Sequence, residues 1–188
     1  MLGGLDIIVN NAAPARDPSM IGEMTNANWA EHEQTVLGAV VNVVETGSKY
    51  LAMSSNASVI NISSTVSTSI AIDQCSWPYH ISKAGLDHLT RWLAVKYGSL
   101  GIRVNAIAPG LVNRYSSQND QVNHERELII KTVIPLKRAG NGKDIANTSM
   151  FLCSSLATYI TGQVITVDGG LSLSEVYSTS LRMQKVLQ

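Results

Sequence analysis

The sequence predicts an α/β domain built on a parallel sheet, and three observations lead there. Short, continuous apolar runs recur at Asp6–Asn10, Ser58–Ile62, Ile102–Ile107 and Gln163–Val167. Runs without polar alternation suit strands covered on both faces. Stretches of helical periodicity lie between them, an alternation that favours parallel strands joined by helical crossovers. The chain has 188 residues, 45% hydrophobic and 15% charged, enough for one domain with a core of its own.

The elements follow in order. Leu5-Asp6-Ile7-Ile8-Val9-Asn10-Asn11 reads as a strand that stops at two asparagines, and a helix is expected over Asn28–Met53. Ser58-Val59-Ile60-Asn61-Ile62-Ser63-Ser64 is a β-branched strand ending in hydroxyls. Tyr79–Tyr97 is an apolar-periodic helical run, and Gly98 and Gly101 frame its exit as a C-terminal stop. The next strand runs into the Pro109-Gly110 turn. Residues 111–141 are polar and irregular, with a short helix expected around His124–Val133. A last helix, Asp144–Leu156, precedes the strand that ends at Val167-Asp168-Gly169-Gly170. Ligands of open α/β sheets bind outside the carboxyl ends of the strands, where these hydroxyl, amide and Pro-Gly features fall.

Composition narrows the function. Lys+Arg and Asp+Glu both number 14 and are interspersed, which gives no push toward nucleic acid or an anionic membrane. No apolar run approaches the ~20 residues that a spanning helix needs, and the first residues lack the basic and apolar regions of a secretory signal. Cys75 and Cys153 fit no metal-ligand spacing, and His32, His80, His88 and His124 form no ligand cluster, so no metal is expected. Two reduced thiols fit a cytoplasmic protein. His80 and His88 are expected on the surface of their helix.

Chemistry concentrates in Tyr79-His80-Ile81-Ser82-Lys83. Residues four apart share a helix face, so the phenol and the ammonium lie one turn apart. A free tyrosine, with a pKa of about 10, is a poor proton donor or acceptor near neutrality. A neighbouring cation favours phenolate and brings the group toward the range of a general acid/base. Any amphipathic helix can carry a lone Tyr-x-x-x-Lys; here it has company.

Five motifs in this order resemble the short-chain dehydrogenase/reductase family. They are Asn10-Asn11-Ala12-Ala13, the strand ending in Ser63-Ser64, Tyr79-x-x-x-Lys83, Asn105-x-x-x-Pro109-Gly110, and Thr161-Gly162 leading to Val167-Asp168-Gly169-Gly170. The resemblance covers residues 4 to about 172. It implies a single, partial domain over residues 1–188: a Rossmann-like doubly wound parallel sheet that lacks the family's first strands. The implied activity is NAD- or NADP-dependent interconversion of a carbonyl and a secondary alcohol by hydride transfer. Tyr79 would be the acid/base, and Lys83 would assist it and hold the nicotinamide ribose. Ser64 would polarise the substrate carbonyl, with Ser63 and Ser67 as alternatives because the interval to Tyr79 is longer than the family usually shows. Asn10 would sit beside the adenine ribose, and Pro109, Gly110 and Val112 would line the nicotinamide. Residues 111–141 would form the substrate-binding loop region, the substrate being a small carbonyl or alcohol. A homodimer or homotetramer built on the long helices is implied for a complete form.

The departures matter as much. Aligned from Trp29, Val36 stands where the family commonly carries an asparagine that holds a proton-relay water. Ala13 replaces a glycine, and Asn113-Arg114 stand where a threonine is expected; Arg114 is either a phosphate contact or a solvated loop residue. No Gly-x-x-x-Gly-x-Gly, the turn whose backbone N–H groups hold a pyrophosphate, occurs in these residues. The strands matching the family's first three are therefore expected to be absent, leaving Asp6–Asn10 as an exposed, association-prone edge. The residue that distinguishes NAD from NADP belongs to one of them. On this reading the 188 residues alone bind dinucleotide weakly or not at all and catalyse no measurable hydride transfer. The alternative is a non-catalytic remnant that acts only through association.

Overall fold

The computed structural model describes residues 4–14, 21, 26, 28–113 and 120–187. Strands β1 (Ile7–Asn10), β2 (Ser58–Ile62), β3 (Arg103–Pro109) and β4 (Val164–Val167) form one parallel sheet in the order β1-β2-β3-β4. Each expected strand is present; the third runs to Pro109 because Ala108 and Pro109 still pair with Thr166 and Val167.

Side chains alternate across the sheet. Val59 and Val104 join one core cluster with Val40, Val44, Leu86 and Leu93 from the helices α2 (Ala39–Leu51) and α3 (Trp77–Tyr97). Ile60 and Ile107 join a second cluster with Leu152 of α5 (Gly142–Cys153). Helices therefore cover both faces, which is the doubly wound arrangement. The buried Arg103 ties them together: its guanidinium donates to the Leu152 carbonyl at the end of α5 and to Asn56 Oδ1. Strand β1 is an edge, with β2 as its strand neighbour among the described residues, and Ile7 and Val9 are 44% and 52% exposed.

The helices differ from expectation in specific ways. The segment expected as one helix over Asn28–Met53 is α1 (Trp29–His32), a π-turn (Glu33–Gly38) and α2. In that wider turn the Ala39 N–H donates to the carbonyl of Gln34, five residues back. Helix α3 begins two residues before Tyr79, at Trp77, and Pro78 lies in its first turn, where no donor is lost. Helix α5 begins before Asp144 because Asn141 caps it. The Asn141 side chain accepts from the Lys143 and Asp144 N–H groups, and Asp144 accepts from the Asn141 N–H. It ends at Cys153, where the Ser154 hydroxyl starts a 3-10 turn, Ser155–Ala157. Helix α4 (Asp120–Val133) begins earlier than His124, and α6 (Val176–Leu187), which the sequence reading did not anticipate, packs on α4.

His80 corrects the surface expectation: it is buried. Its Nε2 accepts from the Ala71 N–H at 3.0 Å and its Nδ1–H donates to the Ser76 carbonyl at 2.9 Å, pinning the β2–α3 loop to the helix. His88 is exposed as expected. Cys75 and Cys153 are free thiols. No described helix is long and apolar enough to cross a membrane.

Candidate active site

Parallel strands deliver their carboxyl ends to one side of the sheet, and there a cavity of about 1500 Å³ opens. Strand β2 places Ser63 and Ser64 on its rim, α3 places Tyr79 and Lys83, and the exit of β3 places Pro109, Gly110 and Val112. These sequence-distant residues are thus brought together.

Lys83 sits one turn after Tyr79 and is 3% exposed. Its ammonium donates to the Ile62 carbonyl at 2.7 Å and lies 5.6 Å from the centre of the Tyr79 ring. Tyr79 is half-buried. Ser64 caps the 3-10 turn Thr65–Ser67, accepting from the Val66 N–H at 3.4 Å. Ser63 is buried, with its hydroxyl donating to the Lys83 backbone carbonyl at 3.5 Å. Ser67 is not among the cavity residues, and its buried hydroxyl has no hydrogen-bond partner among the described residues. Ser63 and Ser64 both line the cavity with weakly engaged hydroxyls, and Ser64 is the more exposed of the two.

The β3 exit depends on a missing side chain. A Cβ on Gly110 would lie 2.5 Å from the Asp168 Cβ and 3.0 Å from its Cα, so β3 and β4 meet here only because residue 110 is glycine. Asp168 accepts from the Gly170 N–H at 2.8 Å and the Ser172 N–H at 2.7 Å. Burial pushes its carboxyl up, but the donors of Ser172 and Gly170 outweigh this and hold it below the usual range. Val112 bridges to Gly140 and fixes the start of the following segment.

Asn10, at the end of β1, is engaged by its neighbour in the sheet. Its side-chain amide donates to Asn61 Oδ1 at 2.8 Å, and Asn61, fully buried, donates to Thr90 Oγ1 of α3 at 2.9 Å. Val9, Asn11 and Ala13, not Asn10, line the cavity. Asn10 thus heads a polar line under the site that joins β1, β2 and α3. The polar Asn61 in an otherwise apolar strand was the available signal for it. Arg114 lies outside the described residues.

His32 escaped the sequence reading as a site residue. The stacked rings of Trp29 and Trp77, 5.3 Å apart, dock α1 on the start of α3. This brings the His32 ring to 6.1 Å from that of Tyr79, edge to face, and onto the cavity. Burial lowers the His32 pKa, Glu31 opposes this, and the Lys83 charge adds to the lowering. The far wall comes from Ile129 and Val133 of α4, Met150 of α5, and Val176 and Met183 of α6.

Comparison with known proteins finds relatives in sequence and in fold. The enoyl-(acyl carrier protein) reductase family model matches residues 1–172. The 3-oxoacyl-(acyl-carrier-protein) reductase FabG of Staphylococcus aureus is 38% identical over 169 residues, which is 90% of this chain and 67% of that protein. Among solved structures, a Caenorhabditis elegans short-chain dehydrogenase/reductase of unknown function, solved with cofactor, superposes with a TM-score of 0.81 at 30% identity. That match covers 94% of this chain and 69% of the other. Acetoin dehydrogenase from Enterobacter cloacae gives a TM-score of 0.77 at 27% identity, covering 93% and 66%. The chain spans about two thirds of the length of these relatives.

Proposed function

The chain belongs to the short-chain dehydrogenase/reductase family of NAD(P)-dependent oxidoreductases, and we propose that its cavity interconverts a carbonyl and a secondary alcohol. The observation that carries this reading is the Tyr79/Lys83 pair on the cavity, which Ser64, two residues past the end of β2, also lines. The residues fit the nicotinamide end of the cofactor. The Gly110 turn, closed to any side chain by Asp168, leaves backbone at the cavity surface, and Pro109 and Val112 flank it. NAD or NADP, when bound, supplies or accepts the hydride.

The chain's own residues handle the oxygen and its proton. Ser64 donates to the carbonyl oxygen and stabilises the charge that develops there. The Tyr79 phenol gives its proton to that oxygen, and in the oxidative direction the phenolate takes it back. A cation beside a phenol stabilises the phenolate form, which is the task of Lys83. The Ile62 carbonyl braces the ammonium against the end of β2 and sets its distance from the phenol. Asn10, held through Asn61 to Thr90, would sit beside the adenine ribose at the end of β1.

Residues 111–141 and α6 form the substrate side of this one domain. The apolar wall of Ile129, Val133, Met150 and Met183 suits a small molecule with an apolar body next to its carbonyl. A 3-oxoacyl thioester, named for the S. aureus relative, has that character. Balanced charge argues for a small-molecule partner rather than nucleic acid or membrane, and two free thiols fit the cytoplasm. The exposed Val43, Tyr50, Trp92 and Val95 of α2 and α3 suit burial against a second copy, as a homodimer or homotetramer. A purely associative role is the second reading, favoured by the exposed edge of β1. Carbonyl-dependent oxidation of reduced nicotinamide, lost in Tyr79→Phe, separates the two: an associative protein shows neither.

A further inference from the structure

Arg126 is the cation of the cavity to which the reaction above gives no task. Among the described residues, no aspartate or glutamate lines the cavity, while Lys83 and Arg126 do. Lys83 is committed to the Ile62 carbonyl and to Tyr79. Arg126 stands across from it on α4, three residues before Ile129 and seven before Val133. That spacing places it on the helix face that supplies the apolar far wall.

Its charge meets no carboxylate among the described residues: Glu127 pairs with Lys131, and Asp144 with Arg138. The Arg126 Nη2 donates to Asn113 Oδ1 at 3.1 Å. That neutral acceptor orients the guanidinium and takes one of its five N–H donors. A second cavity of about 320 Å³ extends the positive charge, because Arg126 lines it as well, together with Lys137 and Arg138. Arg126 is the residue that the apolar-walled cavity and this basic pocket share. It is exposed, so a ligand in either can reach it.

Resting on the proposed reaction, we propose that Arg126 binds an oxyanion of the substrate, a carboxylate or a phosphate monoester. The compound reduced then carries that group at the far end of an apolar segment from its carbonyl. The carbonyl meets Ser64 and Tyr79, the apolar segment lies along Ile129 and Val133, and the oxyanion meets Arg126. A planar guanidinium can pair with two oxygens of either group at once, which a lysine ammonium does not. A concave site lined by cations and no carboxylate also concentrates anions. A neutral ketone gains the apolar contacts alone.

Binding without turnover tests this on the 188-residue chain. Hexanoate, hexyl phosphate and hexanol share one apolar segment, and NMR titrations at fixed ionic strength compare them. The better of the two anions is expected to bind about tenfold tighter than hexanol, the scale of a charge-assisted pair, and it names the group. Arg126→Gln should lose about tenfold in affinity for that anion and none for hexanol, and Arg126→Lys should recover part. Lys143→Gln, which removes a cation outside both cavities, should change neither. Kinetics follow in a chain that also carries the family's glycine-rich turn. There Arg126→Gln should raise KM about tenfold for 5-oxohexanoate or 5-oxohexyl phosphate, with kcat within about threefold. Methyl 5-oxohexanoate and the dinucleotide should be unaffected. Equal binding of the three probes, anion binding unchanged in Arg126→Gln, or an equal loss in Lys143→Gln overturns the inference. A loss that falls on the dinucleotide instead of the oxo compound also overturns it, because the arginine then serves the cofactor. Reduction of methyl 5-oxohexanoate by Tyr79→Phe overturns the reaction itself and leaves the anion site standing.

Discussion

The Lys83 ammonium donates to the backbone carbonyl of Ile62 at 2.7 Å, which fixes the cation of the site to the last residue of β2. A buried charge is costly unless it is hydrogen-bonded, so a lysine held there is better explained by its chemistry than by its packing. Two elements that meet only in the folded chain, the strand end and the second turn of α3, together set its position.

That relationship predicts the outcome of replacing the lysine. Lys83→Met keeps an unbranched side chain one atom shorter and removes the charge. It should lower kcat about 10²-fold or more, in the range expected when an acid/base loses its activating partner. Lys83→Arg should recover little, since the planar guanidinium does not reproduce a compact ammonium on a single carbonyl. Steady-state rates across pH check both.

Gly110→Ala tests the floor of the site. The new methyl would lie 2.5 Å from the Asp168 Cβ, so the β3 and β4 exits must separate. A loss of about 1–3 kcal/mol is expected from such overpacking, together with weaker dinucleotide binding, measured by denaturant unfolding and calorimetry.

His80→Ala tests the clamp on the loop between Ser64 and Tyr79. It deletes the acceptor for the Ala71 N–H and the donor to the Ser76 carbonyl. The expected loss is about 1–3 kcal/mol, the cost of leaving a partner unsatisfied. Hydrogen exchange should rise in residues 65–76 and not in β2.

Much of this was legible in the sequence because it is local. The four strands are short, mainly apolar runs, and the Tyr79/Lys83 spacing fixes a shared helix face whatever the rest of the chain does. What was not legible depends on distant partners. Asn10 turns to Asn61 because the parallel register sets them side by side. His80 is buried because a loop returns over its helix, and a periodicity argument does not see that return. The π-turn has no proline or glycine pair to announce it. Asn141 and Glu175, the caps of α5 and α6, were visible signals passed over: Glu175 accepts from the Tyr177 and Ser178 N–H groups.

Acid should loosen the start of α5. The Arg138 guanidinium and the Asn141 backbone hold Asp144 down to about 2 from its ordinary value of 3.8. A carboxyl whose folded-state pKa is depressed stabilises the fold fully above its unfolded value and loses that contribution as pH falls through the folded one. Stability should therefore drop between 3.8 and about 2. Asp144→Asn should flatten that part of the profile, as read by thermal melts across pH.

Hydride transfer in Tyr79→Phe tests the central claim most directly. The exchange removes one hydroxyl and leaves the ring, its contact with His32 and the Lys83–Ile62 bond in place. In a chain that also carries the family's glycine-rich turn, with reduced nicotinamide absorbance followed against a carbonyl substrate, the account predicts a rate below about 1% of the parent, with dinucleotide affinity within about threefold. A Tyr79→Phe protein that keeps more than about 10% of the parent rate, when loss of a general acid costs 10²-fold or more, contradicts it.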